Sequence, residues 1–211
     1  MRVRPADKQA RGAPGALLVI ISGPSGVGKD TIIDALKRRS RRPEYTFIVT
    51  CTTRAPRDGE EDGVHYRFLS LDMFAALRDT GELLEFADVH GHWYGTPRKE
   101  VAIALAAGHD VILKIDVQGA QSVKQHVPYA LLVFVVPPSL ETLFARLRSR
   151  ATESADELEV RQRNAAIELA RQQDYDYVVV NETGQADRTA EHIDTIVAAE
   201  RRRHPRRRIR L

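Results

Sequence analysis

Ala16-Leu17-Leu18-Val19-Ile20-Ile21-Ser22-Gly23-Pro24-Ser25-Gly26-Val27-Gly28-Lys29-Asp30-Thr31 is the stretch that decides the fold. An apolar run this short, ended at once by glycines, reads as a strand buried on both faces. Beyond it, Ile32, Ile33 and Leu36 fall on one helical face, and basic residues end the helix, where they suit its dipole. Strand, glycine-rich turn, lysine and helix in that order form a phosphate cradle. The glycines let backbone N–H groups close around phosphate oxygens, and the helix N-terminus adds positive potential. Lys29 then reaches the β- and γ-phosphates of a nucleoside triphosphate. The strict pattern wants a hydroxyl directly after the lysine to ligate Mg²⁺, but Asp30 stands there and Thr31 follows. A carboxylate is a good Mg²⁺ ligand and is tolerated in a first helical turn; its cost is negative charge beside the triphosphate.

Outward from this stretch, strands are expected over 46–51, 111–116, 131–136 and 177–181. Helices are expected over 30–39, 96–107, 120–125, 140–148, 155–173 and 186–202. Strands separated by helices of this length predict an α/β fold with a parallel core sheet and helices on both faces. Residues 50–96 break the alternation with short, turn-rich segments and read as a small antiparallel insertion. Residues 146–161 are highly charged and read as a solvent-facing flap.

The chain has 211 residues, a formal charge of +3 and a single cysteine, Cys51, so no intrachain disulfide can form. Its apolar runs fall far short of the ~20 residues a membrane helix needs. The basic N-terminus enters a polar Pro/Gly stretch without the pattern of a signal peptide. A cytoplasmic enzyme is the expectation. Basic residues concentrate in the tails 1–15 and 201–211. No aromatic residue is interleaved with their arginines, so bases would have no stacking platform and no nucleic-acid partner is expected. The seven histidines show no metal-ligand spacing, and His90 and His92, flanking Gly91, read as turn residues.

The insertion specifies the reaction. Thr50-Cys51-Thr52-Thr53-Arg54-Ala55-Pro56-Arg57-Asp58-Gly59-Glu60 is followed by Gly63-Val64-His65-Tyr66, then Glu85, then His92-Trp93-Tyr94-Gly95-Thr96. With the phosphate loop, Ile115-Asp116-Val117-Gln118-Gly119, Arg146-Leu147-Arg148-Ser149-Arg150 and the strand from Tyr175 to Asn181, this series resembles the guanylate kinases over about residues 16–200. The resemblance implies a P-loop fold with core 16–49, GMP-binding region 50–96, core 97–139, lid about 140–161 and core 162–200. It implies ATP and GMP as substrates, dGMP as a further acceptor, and Mg²⁺ with the ATP. Arg54, Arg57, Tyr66 and Tyr94 match the clamp on the GMP phosphate, and Glu85, Thr50 and Thr96 the groups that read guanine. A carboxylate at position 85 accepts from guanine N1–H and the 2-amino group and leaves adenine unpaired. Arg146, Arg150 and Arg161 match the lid arginines that close over ATP and join Lys29 as catalytic groups. Asn181 falls on the ATP side.

Asp116, ending an apolar strand, counts with the GMP-binding set and, with Asp30 and Thr31, as a candidate Mg²⁺ ligand. Two residues earlier stands Lys114, where family members commonly carry an aspartate. Asp30 and Lys114 are expected to lie close together as an ion pair. No general base is needed, because the acceptor phosphate is largely ionised at neutral pH, its second pKa being about 6.

Two other enzymic or binding readings compete. A sugar-phosphate kinase similar to ribose bisphosphate kinases also carries Gly-Lys-Asp, yet has no use for a guanine-reading set. A non-catalytic guanylate kinase-like module that binds phosphorylated partners would carry a damaged loop, whereas Lys29 and its glycines are intact. A homo-oligomer is left open.

Overall fold

The structure is a computed structural model that describes residues 15–39, 45–89, 91–149, 155–204, 209 and 211. Arg150, His90, the N-terminal tail up to 14 and residues 205–208 and 210 of the C-terminal tail lie outside the described residues.

The apolar run forms β1 (Leu18–Ser22), the central strand of a five-stranded parallel sheet. It lies between β7 (Asp110–Lys114) and β8 (Leu131–Val136), with β2 (Tyr45–Phe47) and β9 (Tyr177–Val180) at the edges. Successive side chains of a strand point to opposite faces, and here both faces are covered. Leu17, Val19 and Ile21 pack with Ile32 and Leu36 of α1 (Lys29–Arg39) and with Ile193 and Val197 of α7 (Ala186–Arg203). Leu18 and Ile20 pack with Val101 and Leu105 of α3 (Arg98–Ala106) and with Ala120 and Val123 of α4 (Val117–His126). Each such buried Val, Leu or Ile side chain contributes roughly 1.5–3 kcal/mol relative to exposure. The layered arrangement fixes the carboxyl ends of β1 and β7 side by side, with Ile21 opposite Lys114.

The insertion is a second, four-stranded sheet in the order β4 (Arg67–Phe68), β3 (Cys51–Thr52), β6 (His92–Pro97), β5 (Leu83–Val89). It is mixed and not purely antiparallel, since β3 and β4 run parallel. A helix absent from the sequence expectation, α2 (Leu71–Asp79), is capped by the Ser70 hydroxyl accepting from the Met73 N–H. Its Phe74 stacks near Trp93 over a small core with Cys51 and Leu83.

The expected strand over 46–51 is divided between the two sheets. After the Ile48 N–H bonds to the Ile112 carbonyl, the chain leaves the core, and the Thr50 carbonyl instead accepts from the Arg67 N–H. The helix expected from 120 starts at Val117 because Asp116 caps it, and the helix expected from 96 starts at Arg98. α5 (Leu140–Ser149) leads into the flap expected over 146–161, and its Leu143 and Leu147 are fully buried in the core layer. The flap continues in α6 (Ala155–Leu169), which ends in a 3-10 turn (Ala170–Asp174). α7 runs on through Arg203, so the start of the expected basic tail is helical, with Arg201 ion-paired to Asp110 at 3.1 Å.

Candidate functional site

The loop between β1 and α1 owes its path to glycine. Gly23 has φ +145°, and a Cβ there would lie 2.3 Å from the Val135 carbonyl oxygen of β8. A Cβ on Gly28, at φ +98°, would lie 2.6 Å from the Asn181 side-chain amide. The backbone can therefore hug its neighbours only where no side chain intervenes. The Lys29 ammonium reaches back across the loop to the carbonyls of Gly23 (2.5 Å) and Pro24 (3.1 Å). Burial lowers its pKa, an effect opposed by the carboxylates of Glu168, Asp30 and Asp116. The Ser25 N–H donates to a Glu168 carboxylate oxygen at 3.1 Å, so the loop already holds an anionic oxygen. Arg161 reaches the Ser25 hydroxyl at 3.4 Å.

Behind the loop, Asn181 donates to the Val27 carbonyl at 2.8 Å. Arg146 donates to the carbonyls of Val27 (3.2 Å) and Asn181 (3.1 Å) and to the Thr183 hydroxyl (3.0 Å). Both residues brace the loop from its far side and are not among those lining the cleft.

Across the cleft, β3, β5 and β6 bring together the second set. Arg54 is almost fully buried, and its guanidinium is fixed from several sides. It donates to the Tyr94 hydroxyl at 3.2 Å, to both Glu60 carboxylate oxygens at 2.9 Å and to the Ala55 carbonyl at 2.6 Å. The Arg57 N–H also donates to Glu60, at 2.8 Å. Tyr66 and Tyr94 meet edge-on with ring centroids 5.9 Å apart, and the Arg54 guanidinium lies 5.5 Å from the Tyr66 ring. Arginine held in this way presents preset donors for a phosphate.

Farther in, Glu85, Thr50 and Thr96 are buried. The Thr96 hydroxyl donates to Glu85 at 2.6 Å. Desolvation pushes the Glu85 carboxyl up to about 7; the Thr96 bond opposes this and the Asp116 charge adds to it. Gly119 is tight against this group, since a Cβ there would stand 2.5 Å from a Glu85 carboxylate oxygen. Asp116 caps α4, accepting from the N–H groups of Gln118 and Gly119 at 3.0 Å.

The two sets face each other over one cleft of about 740 Å³. It is lined by the loop from Gly23 to Asp30, by Thr50, Arg54, Arg57, Tyr66, Glu85 and Tyr94, and by Asp116 and Arg161. Thr31 and Thr96 lie beside that lining, and Arg150 is outside the described residues. Asp30 and Lys114 form the expected ion pair. Burial alone would lower the Lys114 pKa, but Tyr66 and Asp30 push it up to about 12. Glu60, Gly119 and Glu168 were not assigned from sequence. Glu60 and Gly119 lie within the quoted motifs, whereas Glu168 carries no local signal, being a helix residue brought to the loop only by packing.

The described residues contain no group of three or more His, Cys, Asp or Glu that could hold a metal ion. Asp30 and Asp116 nevertheless offer hard carboxylate oxygens in the cleft, a donor set suited to Mg²⁺ completed by phosphate oxygens and water.

The family model described as guanylate kinase matches residues 16–200. A guanylate kinase of Mycobacterium bovis is 48% identical over 176 residues, 82% of this chain and 84% of that protein. One from Desulfitobacterium hafniense is 46% identical over 166 residues, 79% of this chain and 82% of that protein. The crystal structure of guanylate kinase from Anaplasma phagocytophilum superposes with a TM-score of 0.73 at 32% identity, covering 90% of this chain and 87% of that one.

Proposed function

We propose, from the premise that this chain belongs to the guanylate kinase family, that it transfers the γ-phosphoryl group of ATP to GMP, yielding ADP and GDP. The observation that carries this reading is the placement of Glu85. A buried carboxylate held by Thr96 lies in the same cleft as a fixed Arg54–Tyr94 pair, opposite a phosphate loop with its lysine.

In this reading GMP enters with guanine against Glu85, Thr50, Thr96 and Asp116, and its phosphate against Arg54, Arg57, Tyr66 and Tyr94. ATP lies along Gly23 to Thr31, with Asn181 supporting the loop. An oxygen of the GMP phosphate attacks the γ-phosphorus in line, the bond to the β–γ bridging oxygen breaks, and ADP leaves. The protein's part is positioning and neutralising charge. Lys29 supplies a cation at the β- and γ-oxygens, and Arg150 and Arg161 supply lid cations, while Arg146 braces the loop from behind. Bound with ATP, Mg²⁺ would add charge neutralisation at the phosphates, held by Asp30, Thr31 or Asp116 directly or through water. We take 50–96 as the acceptor region and about 140–161 as the lid, rooted by Leu143 and Leu147. Its closure over filled sites would exclude water and spare ATP from hydrolysis.

Among the described residues no helix is long and apolar enough to cross a membrane, and a cytoplasmic location is part of the proposal. The test is ADP formation by the purified chain with GMP, dGMP, AMP, UMP, CMP and ribose bisphosphate in turn. Turnover is expected with GMP, and with dGMP as a second acceptor. Activity on ribose bisphosphate without activity on GMP would reverse the assignment.

A further inference from the structure

Lys114 takes no part in the mechanism above, yet it ends β7 at the carboxyl edge of the sheet, opposite Ile21 and beside the start of the loop. Its side chain lines the cleft. It touches both halves of the site. On the loop side its ammonium is ion-paired with Asp30 in the first turn of α1. On the acceptor side the ammonium lies 4.3 Å from the centroid of the Tyr66 ring, whose other neighbours include the Arg54 guanidinium at 5.5 Å.

We infer that Lys114 is a further catalytic residue, a fixed cation that contacts the phosphate oxygens where donor and acceptor meet. The need for it is electrostatic. The loop and the clamp each gather a phosphate group, and the two like-charged groups must come within bonding distance. A cation anchored between them opposes that repulsion and follows the charge as it moves from the γ- to the β-phosphate oxygens. An ammonium has three donors. Asp30 engages one and the Tyr66 hydroxyl a second, with the Tyr66 ring close by, so that the ammonium is steered from both sides. A donor directed into the cleft meets phosphate there. No proton is transferred in this step, since the ammonium only donates hydrogen bonds.

The inference rests on the GMP reading, and its test separates the two. The probe is adenosine and guanosine joined by five phosphates, which spans both halves at once. Its affinity is measured by calorimetry for the wild-type chain, Lys114→Met, Lys114→Gln, Asp30→Asn and the double variant Asp30→Asn/Lys114→Met, with guanosine as the control ligand. Loss of a charged hydrogen bond predicts about 30-fold weaker binding of the probe by Lys114→Met. Guanosine affinity should stay unchanged and kcat should fall at least as far. Lys114→Gln, which keeps a donor without the charge, should fall between and carries the test if the methionine variant does not fold.

The double variant decides the remaining question. Were Lys114 present only to offset Asp30, the double variant would bind the probe as tightly as Asp30→Asn alone, and the inference would be overturned. A probe affinity unaffected by Lys114→Met or Lys114→Gln would overturn it equally. A wild-type chain that binds neither guanosine nor the probe would instead sink the GMP reading itself.

Discussion

The two walls of the cleft are built from different kinds of group. The loop wall works mostly through backbone: glycines at positive φ, amide N–H groups and the start of α1, all within one contiguous segment. The acceptor wall offers side chains from β5, β6 and the loops beside β3 and β4, from Thr50 as far along the chain as Asp116. Backbone amides fit any polyphosphate and carry little information about the base. In the proposed reading, side chains such as Glu85, fixed by Thr96 and confined by Gly119, carry nearly all of it. Affinity for a triphosphate can thus come from a local motif, while selectivity needs tertiary assembly.

The largest expected effect tests that division directly. Glu85→Gln keeps the volume but presents an amide donor towards guanine N1–H and removes one acceptor. A site built to pair with a substrate's polar groups can lose about 10⁴-fold in discrimination when the pairing is broken. We expect kcat/KM for GMP to fall by about 10³-fold or more, the lower bound allowing for the amide oxygen that remains to accept one bond. The affinity for ADP should stay within about twofold, because sites with no shared partners are usually independent. Parallel loss of ADP binding would break the comparison, for it would make the two walls one cooperative unit.

A smaller effect follows from the ionisation of Glu85. Its carboxyl is pushed up to about 7, so the free site is largely protonated at pH 6 and ionised at pH 8. Only the carboxylate accepts both guanine donors, and competent sites at pH 6 are about a tenth of the total, so guanosine should bind about tenfold more weakly there than at pH 8. Guanosine is the right ligand because it lacks a phosphate that titrates in the same range. The stability sign is opposite. Between the ordinary carboxyl value of 4.5 and about 7, the native state holds the extra proton. Stability to unfolding therefore falls as pH rises through that window, and the penalty is complete above it. Glu85→Gln should remove both dependences; a guanosine affinity that is flat across pH 6–8 in the wild-type chain would place the titrating group elsewhere.

The same division explains what the sequence revealed. Residues 16–31 announced strand, loop and helix because one continuous stretch contains the hydrophobic run, the glycines and the lysine. The Asp30–Lys114 pair was legible because parallel neighbouring strands bring such ends together, and the two residues do form an ion pair. Where a segment serves two sheets, local pattern misleads: 46–51 looks like one strand, but Tyr45–Phe47 and Cys51–Thr52 belong to different sheets. α2 was missed because its half-exposed Leu71 and Met73 blur the helical period, although Ser70 was a cap in plain view. Arg146 was expected over ATP by family resemblance, whereas here it braces the back of the loop through Val27 and Asn181. Spacing along a helix does not tell which neighbour a long side chain will find.

Glu168 is where the two kinds of recognition meet, and it supplies the smallest expected effect. Its carboxylate accepts from the Ser25 N–H, a donor that the loop would otherwise turn to phosphate, and its charge lies near Lys29. An incoming nucleotide must displace that oxygen before it can use the amide. Glu168→Gln leaves a weaker, uncharged competitor, so ADP should bind about fivefold more tightly, the scale of one modest hydrogen bond. Guanosine should bind as before, because Glu168 bonds to the loop at Ser25 whereas Glu85 is held by Thr96. Titration of both ligands against the variant reads the two walls separately. Weaker ADP binding would reverse the role of Glu168, from competitor for the loop to the group that holds it in shape for phosphate.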